Sequence, residues 1–302
     1  MSDFWRYASA ILVWPGILCA APLGWFALWF VRKLTARLQG RKGPPFMQPF
    51  WDFMKLLGKR TVIPTGVSAG AFHALPLIAL ASVTAALAIV PMPGNPVPSL
   101  PGDLVLLLYL LEVPVLCEVL AGYVTRSVYG QISAMREAIL SLGYNLPFLA
   151  SVIALAQSAG SFNLQALQNA PYGPIHGLAA IGFLMALPAR LKTNPFSIPN
   201  AEHEIVADAH IEYNAAPLAL FKLSHALEVV LLCELFAVLF VPRQPWSLPA
   251  ALLYLKVGLG VLALVTLLAN STARVRLAQA FRFYWLWGGI VSGAAILAAV
   301  IW

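Results

Sequence analysis

Acidic and histidine side chains crowd into one stretch of an otherwise apolar chain, residues 191–228. Five of the chain's twelve acids and three of its five histidines lie there. These residues are Glu202, Glu204, Asp208, Glu212, Glu228, His203, His210 and His225. If residues 204–212 are helical, their acids share one face at the spacing i, i+4, i+8. Crowded carboxylates favour their neutral form and histidine titrates near neutrality, so the pattern suits uptake and release of protons.

Four glutamates that could also take up and release protons lie within long apolar runs. Glu112 and Glu118 lie in one run, and Glu228 and Glu234 lie in another. A carboxylate at the centre of a bilayer costs about 2.5–3.5 kcal/mol on insertion scales. We expect no Lys or Arg at matching depth, so these groups are neutral, hydrated or turned toward a bundle interior. The alternative for any one of them is a protonated Glu bonded to a neighbouring helix. His225 precedes Glu228 by three residues and shares its helical face.

Two other interpretations of the acids and histidines stay open. A metal site is disfavoured because there is no HExxH-type arrangement and the acids outnumber the histidines. A solvated acidic face is the second, but it does not explain why the acids continue into an apolar run. The three cysteines, Cys19, Cys117 and Cys233, are far apart in apolar runs. We therefore expect from them neither a disulfide framework nor a metal site.

The composition places these side chains in an all-α integral membrane protein. The chain is 60% hydrophobic and 10% charged, with a mean hydropathy of +0.80, whereas soluble domains carry about 25% charge. The apolar runs have the length of membrane helices, not of barrel strands. The first run lacks a basic n-region and ends in Arg-Lys, so we expect a span and not a cleaved signal. We predict a single domain, residues 1–302, with about eight spans at 10–31, 67–90, 104–124, 138–157, 175–190, 217–241, 250–269 and 284–301.

Positive charge predicts the orientation. Of the 19 Lys and Arg residues, all but Arg6, Arg243 and Lys256 follow odd-numbered spans, some at the edge of the next span. The positive-inside rule then puts both termini on the non-cytoplasmic side of a bacterial or archaeal cell (inner) membrane. The cytoplasmic loops would be about 32–66, 125–137, 191–216 and 270–283. Topology thus accounts for the net charge of +7, and we do not expect nucleic acid as a partner.

Two of these loops carry further signals. In the first, Gly43-Pro44-Pro45 breaks any helix, and apolar residues then alternate with basic ones up to Arg60. This pattern predicts a cytoplasmic amphipathic helix, which is either an interfacial anchor or a docking platform that closes a cavity. In the second cytoplasmic loop, Arg136 and Glu137 stand at the start of the fourth span. An ion pair between them would lower the free-energy cost of placing charge near the bilayer.

Four segments in order resemble one family, the H-type membrane subunit of respiratory complex I and its relatives in energy-converting [NiFe]-hydrogenases, including formate hydrogenlyase. The similarity spans nearly the whole chain. The segments are Arg41-Lys42-Gly43-Pro44 with Gln48-Pro49, Asp52 and Lys55-Leu56; Gly130 with Met135-Arg136-Glu137-Ala138; Asn194 to Glu204 with Glu212-Tyr213; and Asn270-Ser271-Thr272-Ala273-Arg274-Val275-Arg276.

Spacing and substitutions place the chain within this family. Only three residues separate Pro44 from Gln48, which resembles the hydrogenase branch, where complex I members have a longer insert. Ser197 stands where the family usually has Asp, Asn200 where it has Glu, and Ala269 where many hydrogenase-type members have Glu. The proton path is then weakened or rerouted through His203, His210 or Asp208.

The resemblance implies a subunit without a redox centre of its own. Its cytoplasmic loops would dock iron–sulfur subunits and either a [NiFe] hydrogenase-type large subunit or a quinone-reducing counterpart, with quinone at those loops in the second case. Antiporter-like membrane subunits would receive the protons. By matching position, the proton-path acids are Glu202, Glu204 and Glu212. The other carried-over residues are Arg41, Gln48, Asp52 and Lys55 in the docking loop, and Arg136, Glu137, Arg274 and Arg276 as structural or electrostatic groups.

Three hypotheses about function follow. The favoured one is a membrane-anchoring, proton-path subunit of an energy-converting hydrogenase-type complex. The second is a quinone-site-forming subunit of a complex I-like NADH:quinone oxidoreductase. The third, motivated by Ser197 and Asn200, is a structural anchor without ion coupling.

Overall fold

The computed structural model describes residues 2–95, 97, 100–170, 172–200, 209–242 and 247–301, with side chains from residue 5 onward. Within these ranges every regular element is helical. In chain order the helices are α1 (Ser2–Leu12), α2 (Ile17–Leu38), α3 (Gln48–Leu57), α4 (Ala69–Ile89), α5 (Asp103–Val124), α6 (Val128–Ala159), α7 (Leu164–Asn169), α8 (Pro174–Arg190), α9 (Ala215–Phe240), α10 (Leu248–Ser271), α11 (Leu277–Phe283) and α12 (Gly289–Ile301). A π-helical turn, Tyr284–Gly288, joins the last two.

The predicted membrane bundle is confirmed. Seven helical segments of the described chain are long and apolar enough to cross a membrane, and α8 is a shorter apolar helix. Apolar runs of this length become helices because a helix satisfies every backbone N–H and C=O within one segment, as a bilayer demands. The protein is therefore a multi-pass membrane protein, while the side on which its termini lie stays a prediction.

The boundaries of two predicted spans are displaced. The first span was expected over 10–31, but α1 ends at Leu12 and α2 runs from Ile17 to Leu38. The fourth span was expected from residue 138, but α6 begins at Val128. The polar stretch before 138 is helical because part of it packs into the bundle, where Ser133, Ala134 and Glu137 are buried. Glu137 therefore lies within α6, more than two turns from its start, and not at a loop end. Arg136 beside it remains partly exposed.

The central element is α9. Its buried residues include most positions from Ala226 to Leu239, so it is hydrophobic around its whole circumference, as expected of a helix in the middle of a bundle. It packs against α2, α3, α4 and α10. On the α2 side the approach is very close, because a Cβ built on Gly24 would lie 2.7 Å from the carbonyl oxygen of Ala226.

The predicted amphipathic helix of the first loop is α3. Its inner face packs on α2, with the rings of Phe50 and Phe53 at 5.2 and 5.5 Å from the ring of Trp25. Its outer face exposes Trp51 and Met54. The helix thus covers one end of the α2–α9 interface and presents a second apolar face outward.

We predict that Gly24→Ala destabilises the protein, since the new methyl group meets backbone that cannot move aside. Overpacking of this kind costs about 1–3 kcal/mol, against a helix-propensity gain of up to about 1 kcal/mol for replacing Gly by Ala. The measurement is the free energy of unfolding in mixed detergent micelles.

The matched control for this substitution is Gly260→Ala on α10, where no atom lies within 4 Å of the new Cβ. We expect the control to be neutral or slightly stabilising. Equal effects of the two substitutions would contradict the close α2–α9 contact.

Candidate functional site

A buried arginine ties together the helices that carry the membrane acids. Arg190 ends α8 and is only 2% exposed. Its guanidinium donates from Nη1 to Glu112 Oε1 at 2.8 Å and to Asn145 Oδ1 at 3.3 Å, and from Nη2 to the carbonyl of Leu111 at 2.6 Å. It also lies over the ring of Phe148, 4.8 Å from the centroid. Helices α5, α6 and α8 are thereby joined through one cation.

The carboxylate of Glu112 is held on both oxygens. While Oε1 accepts from Arg190, Oε2 accepts from Asn145 Nδ2 at 2.8 Å. These donors, one of them charged, stabilise the anion. The side chain is still 33% exposed on the surface of this chain. Glu112 therefore links the buried cluster to the outside of the bundle.

Glu228 approaches the same arginine from α9. Its Oε1 lies 3.6 Å from Arg190 Nε, too far for a direct hydrogen bond, and neither atom has a hydrogen-bond partner among the described residues. The carboxyl is 4% exposed and interacts electrostatically with Lys192 as well. Glu228 is thus a buried carboxyl group that faces Arg190 and is less firmly bonded than Glu112.

The next acid along α5, Glu118, pairs with Lys192. Both side chains are about nine-tenths buried, and Glu118 lies about 9 Å along the helix from Glu112. We call the groups joined by these contacts the buried charge cluster: three acids, Glu112, Glu118 and Glu228, and two cations, Arg190 and Lys192. One carboxyl is in excess, so a single bound proton makes the cluster electrically neutral.

These contacts correct the expectation that no Lys or Arg lies at the depth of the membrane acids. From sequence, Arg190 and Lys192 belong to a basic loop after a short span. In the fold α8 ends inside the bundle, and the chain after it turns back within the protein, where Leu191, Phe196 and Ile198 are buried. The two cations therefore meet the acids instead of solvent, because charge buried in a membrane must be paired.

A cavity of about 290 Å³ adjoins the cluster between α2, α3 and α9. Phe53 and Asp52 of α3 line one side, and Glu118 and Lys192 line another. The other charged or titratable lining residues are Arg32, His210, Lys222 and His225. A polar route from the α3 surface thus ends at the Glu118–Lys192 pair.

The acidic stretch that dominates the sequence is only partly described. Glu202, His203, Glu204 and Asp208 lie outside the described residues. Glu212 lies in a turn after Ala209 and not in a helix, so the helical face expected through residue 212 does not include it. Its neighbour Tyr213 is buried against Phe72, with parallel rings 4.2 Å apart. Burial raises the pKa of Tyr213 to about 12, so its phenol stays protonated.

Glu234 does not join the cluster. It lies six residues beyond Glu228 on α9, which turns it by about 240° around the helix axis. It lines a separate, mostly apolar cavity of about 230 Å³ with Trp14 and Tyr254. Its Oε2 has no hydrogen-bond partner within the described part of the chain. The two acids of this span therefore serve different surroundings.

The resemblance segments contact one another. Arg274 Nε donates to Ser197 Oγ at 3.2 Å, and the Val275 amide donates to the Pro195 carbonyl at 3.1 Å. Gln39 accepts from Arg41 and donates to Asn270 at 2.9 Å. The loops that carry these segments form one surface.

The predicted docking residues divide into two groups. Asp52 accepts from Gln48 at 2.9 Å and forms an ion pair with Arg32 at 3.5 Å, so both are held against the bundle. Lys55 is exposed and available to a partner. Arg276, at the start of α11, is also partly exposed, and its backbone amide donates to Gln279.

Sequence reasoning missed Arg190, Lys192 and Asn145 as site residues. A usable signal exists for two of them, since Arg190 directly ends an apolar run and Asn145 interrupts one. Among the described residues there is no group of three or more His, Cys, Asp or Glu that could hold a metal ion.

Known proteins match this chain over almost its whole length. A family model described as NADH dehydrogenase matches residues 11–300. The H-type subunit of the NADH-quinone oxidoreductase of Rhodospirillum rubrum is 30% identical over 318 residues, covering 94% of this chain and 92% of the relative. Its counterpart in Dehalococcoides mccartyi is 29% identical over 297 residues, covering 94% and 84%. A chain of the membrane-bound sulfane sulfur reductase, an archaeal respiratory membrane complex, matches with a TM-score of 0.88 and 25% identity, covering 99% of this chain and 100% of that one.

We predict that Arg190→Met lowers the free energy of unfolding by about 3–5 kcal/mol, because it removes the cation that the buried Glu228 and the partly exposed Glu112 share. Adding Glu112→Gln should restore part of the loss, since an amide is cheaper to bury than an unpaired carboxylate. Unfolding in mixed micelles measures both.

Arg32→Met is the control for Arg190→Met. The Arg32–Asp52 pair spans 3.5 Å with side chains 54% and 43% exposed, and such a pair contributes about 0–1 kcal/mol. If Arg190→Met is no worse than this control, the cluster does not hold the helices together.

Proposed function

This chain belongs to the NADH dehydrogenase family, and we propose that it couples a redox reaction at its cavity to proton movement through its buried charge cluster. It is an H-type membrane subunit of the complex I-like respiratory kind. The observation that carries the proposal is the excess carboxyl group among Glu112, Glu118, Glu228, Arg190 and Lys192. A buried cluster with one carboxyl group in excess is stabilised by binding one proton, because that proton cancels the uncompensated negative charge.

The order of the groups gives the path a direction. Protons enter the cavity beside α3, where His210 and His225 line the wall with Glu118. Glu228 is the relay, since it is buried beside Arg190 and its Oε1 has no direct hydrogen bond within the described residues. Glu112, partly exposed on the surface of this chain, delivers to an antiporter-like membrane subunit. The acids Glu202 and Glu204 stay predicted members of the entrance.

The cavity is the proposed place where the redox partner acts on this protein. It has room for the head of a small ligand, and its lining of about half apolar and half polar residues suits a quinone. The relatives named as components of NADH-quinone oxidoreductases support this quinone-type function over the hydrogenase-type function favoured from sequence. The outer face of α3, with Trp51, Met54 and Lys55, is the proposed docking surface for iron–sulfur subunits.

A hydrogenase-type complex remains the second candidate, favoured by the short segment between Pro44 and Gln48. The formate hydrogenlyase branch in particular stays a prediction. Purification of the native complex and sequencing of its large subunit decide between the two. Four nickel-ligating cysteines in that subunit would overturn the quinone proposal, and their absence would overturn the hydrogenase one.

We predict that Glu228→Gln lowers proton translocation per electron by about tenfold or more, because glutamine has the same shape but carries no transferable proton. The measurement is proton release by the whole complex in proteoliposomes during turnover, together with the electron-transfer rate after the gradient is collapsed by an uncoupler.

Glu234→Gln serves as the control, since it removes a carboxyl from the same helix on the side away from the cluster. We expect it to translocate protons normally. If Glu228→Gln translocates as many protons per electron as wild type, Glu228 is not the relay, and a structural anchor without ion coupling is favoured.

A further inference from the structure

A long apolar groove on the outside of the bundle is left unfilled by the described part of the chain. It has a volume of about 690 Å³ and lies between α8, α10 and α11. Its principal lining residues are Leu184, Met185, Phe196, Leu264, Leu268 and Phe283. Leu264 and Leu268 are 42% and 41% exposed. Because α8 and α10 are membrane helices, the groove opens into the hydrocarbon region.

One end of the groove is closed by backbone at the membrane boundary. The Val275 amide bonds to the Pro195 carbonyl at 3.1 Å, and both residues line the groove. The membrane helix α10 ends at Ser271, four residues before Val275, so this bond lies where that span leaves the membrane. The groove thus runs from the boundary toward the bilayer interior, as an acyl chain does.

The segment that follows α10 at this end of the groove is positively charged. Residues 270–283 contain three arginines and no acid. Arg274 is already bonded to Ser197. Arg276 follows groove-lining Val275, and Arg282 lies about 60° around α11 from groove-lining Gln279. Both are at least partly exposed, and no acidic side chain in the described ranges forms an ion pair with either.

We propose that this groove is a binding site for an anionic phospholipid, with an acyl chain along α8 and α10 and its headgroup phosphate attracted to the boundary end by the charge of Arg276 and Arg282. The positive charge of the arginines favours a lipid with an acidic headgroup. Each basic residue at a membrane surface raises the affinity for anionic lipid about fivefold. A neutral lipid fills the same groove without using the arginines. A helix of a neighbouring protein would need acids at its boundary end.

The test measures lipid retained by the purified complex after reconstitution into an equal mixture of phosphatidylglycerol and phosphatidylcholine. Native mass spectrometry counts the lipids that remain bound after detergent extraction. We expect wild type to retain phosphatidylglycerol preferentially. Arg276→Gln/Arg282→Gln should lose that preference by about tenfold or more. Leu268→Trp should reduce retention of both lipids by filling the groove with no change of charge.

The control, Lys59→Gln/Arg60→Gln, removes two charges from a loop that does not line the groove, and it should behave as wild type. Equal loss in this control would reduce the effect to general surface charge and overturn the proposal. Unchanged retention in both groove variants would overturn it as well. Benzoylphenylalanine at position 268 should cross-link to lipid; a cross-link to another protein of the complex would assign the groove to that protein instead.

Discussion

The structure depends on one buried cation. A guanidinium cannot lose its proton in a protein, so Arg190 must be satisfied where it stands, away from water. It is satisfied by a carboxylate, an amide and a backbone carbonyl from two other helices and by the face of Phe148. Because these partners have fixed directions, they set the relative positions of α5, α6 and α8. The same contacts bring Glu112 and Glu228 to one charge from different helices, which a purely apolar core could not do.

Because α9 lies at the centre of the bundle, its two glutamates have different surroundings. A helix that is buried on all sides turns successive residues toward different neighbours, so two glutamates less than two turns apart reach separate environments. Glu228 faces the cations, and Glu234 faces an apolar cavity near Trp14. This division makes a test of coupling possible within one helix. Two acids in the same span therefore do not by themselves form a continuous proton path.

The two residues at which the chain departs from the resembled loop motif, Ser197 and Asn200, both lie at structural contacts. Ser197, which stands where the resembled motif usually has Asp, accepts a hydrogen bond from Arg274. A hydroxyl here preserves the connection between two loops without adding a negative charge to a region already rich in acids. Asn200 lines the charged cavity. The two loops are therefore connected, and Asn200 together with Asp52 of the first loop contributes to the wall of the cavity that the proposed function uses.

Sequence alone determined the class of protein, the approximate number of apolar helices and the amphipathic helix, and it singled out acids within apolar runs, because hydropathy and helical period are local properties. It also carried the family segments. It did not determine which acid meets which cation. Arg190 and Glu112 are 78 residues apart, and their meeting follows from how α5, α6 and α8 pack and from where α8 ends within the bundle. The excess carboxyl of the cluster, the separation of Glu234 and the groove beside Arg276 exist only in the folded chain, because each is a relation between helices and not a property of any one.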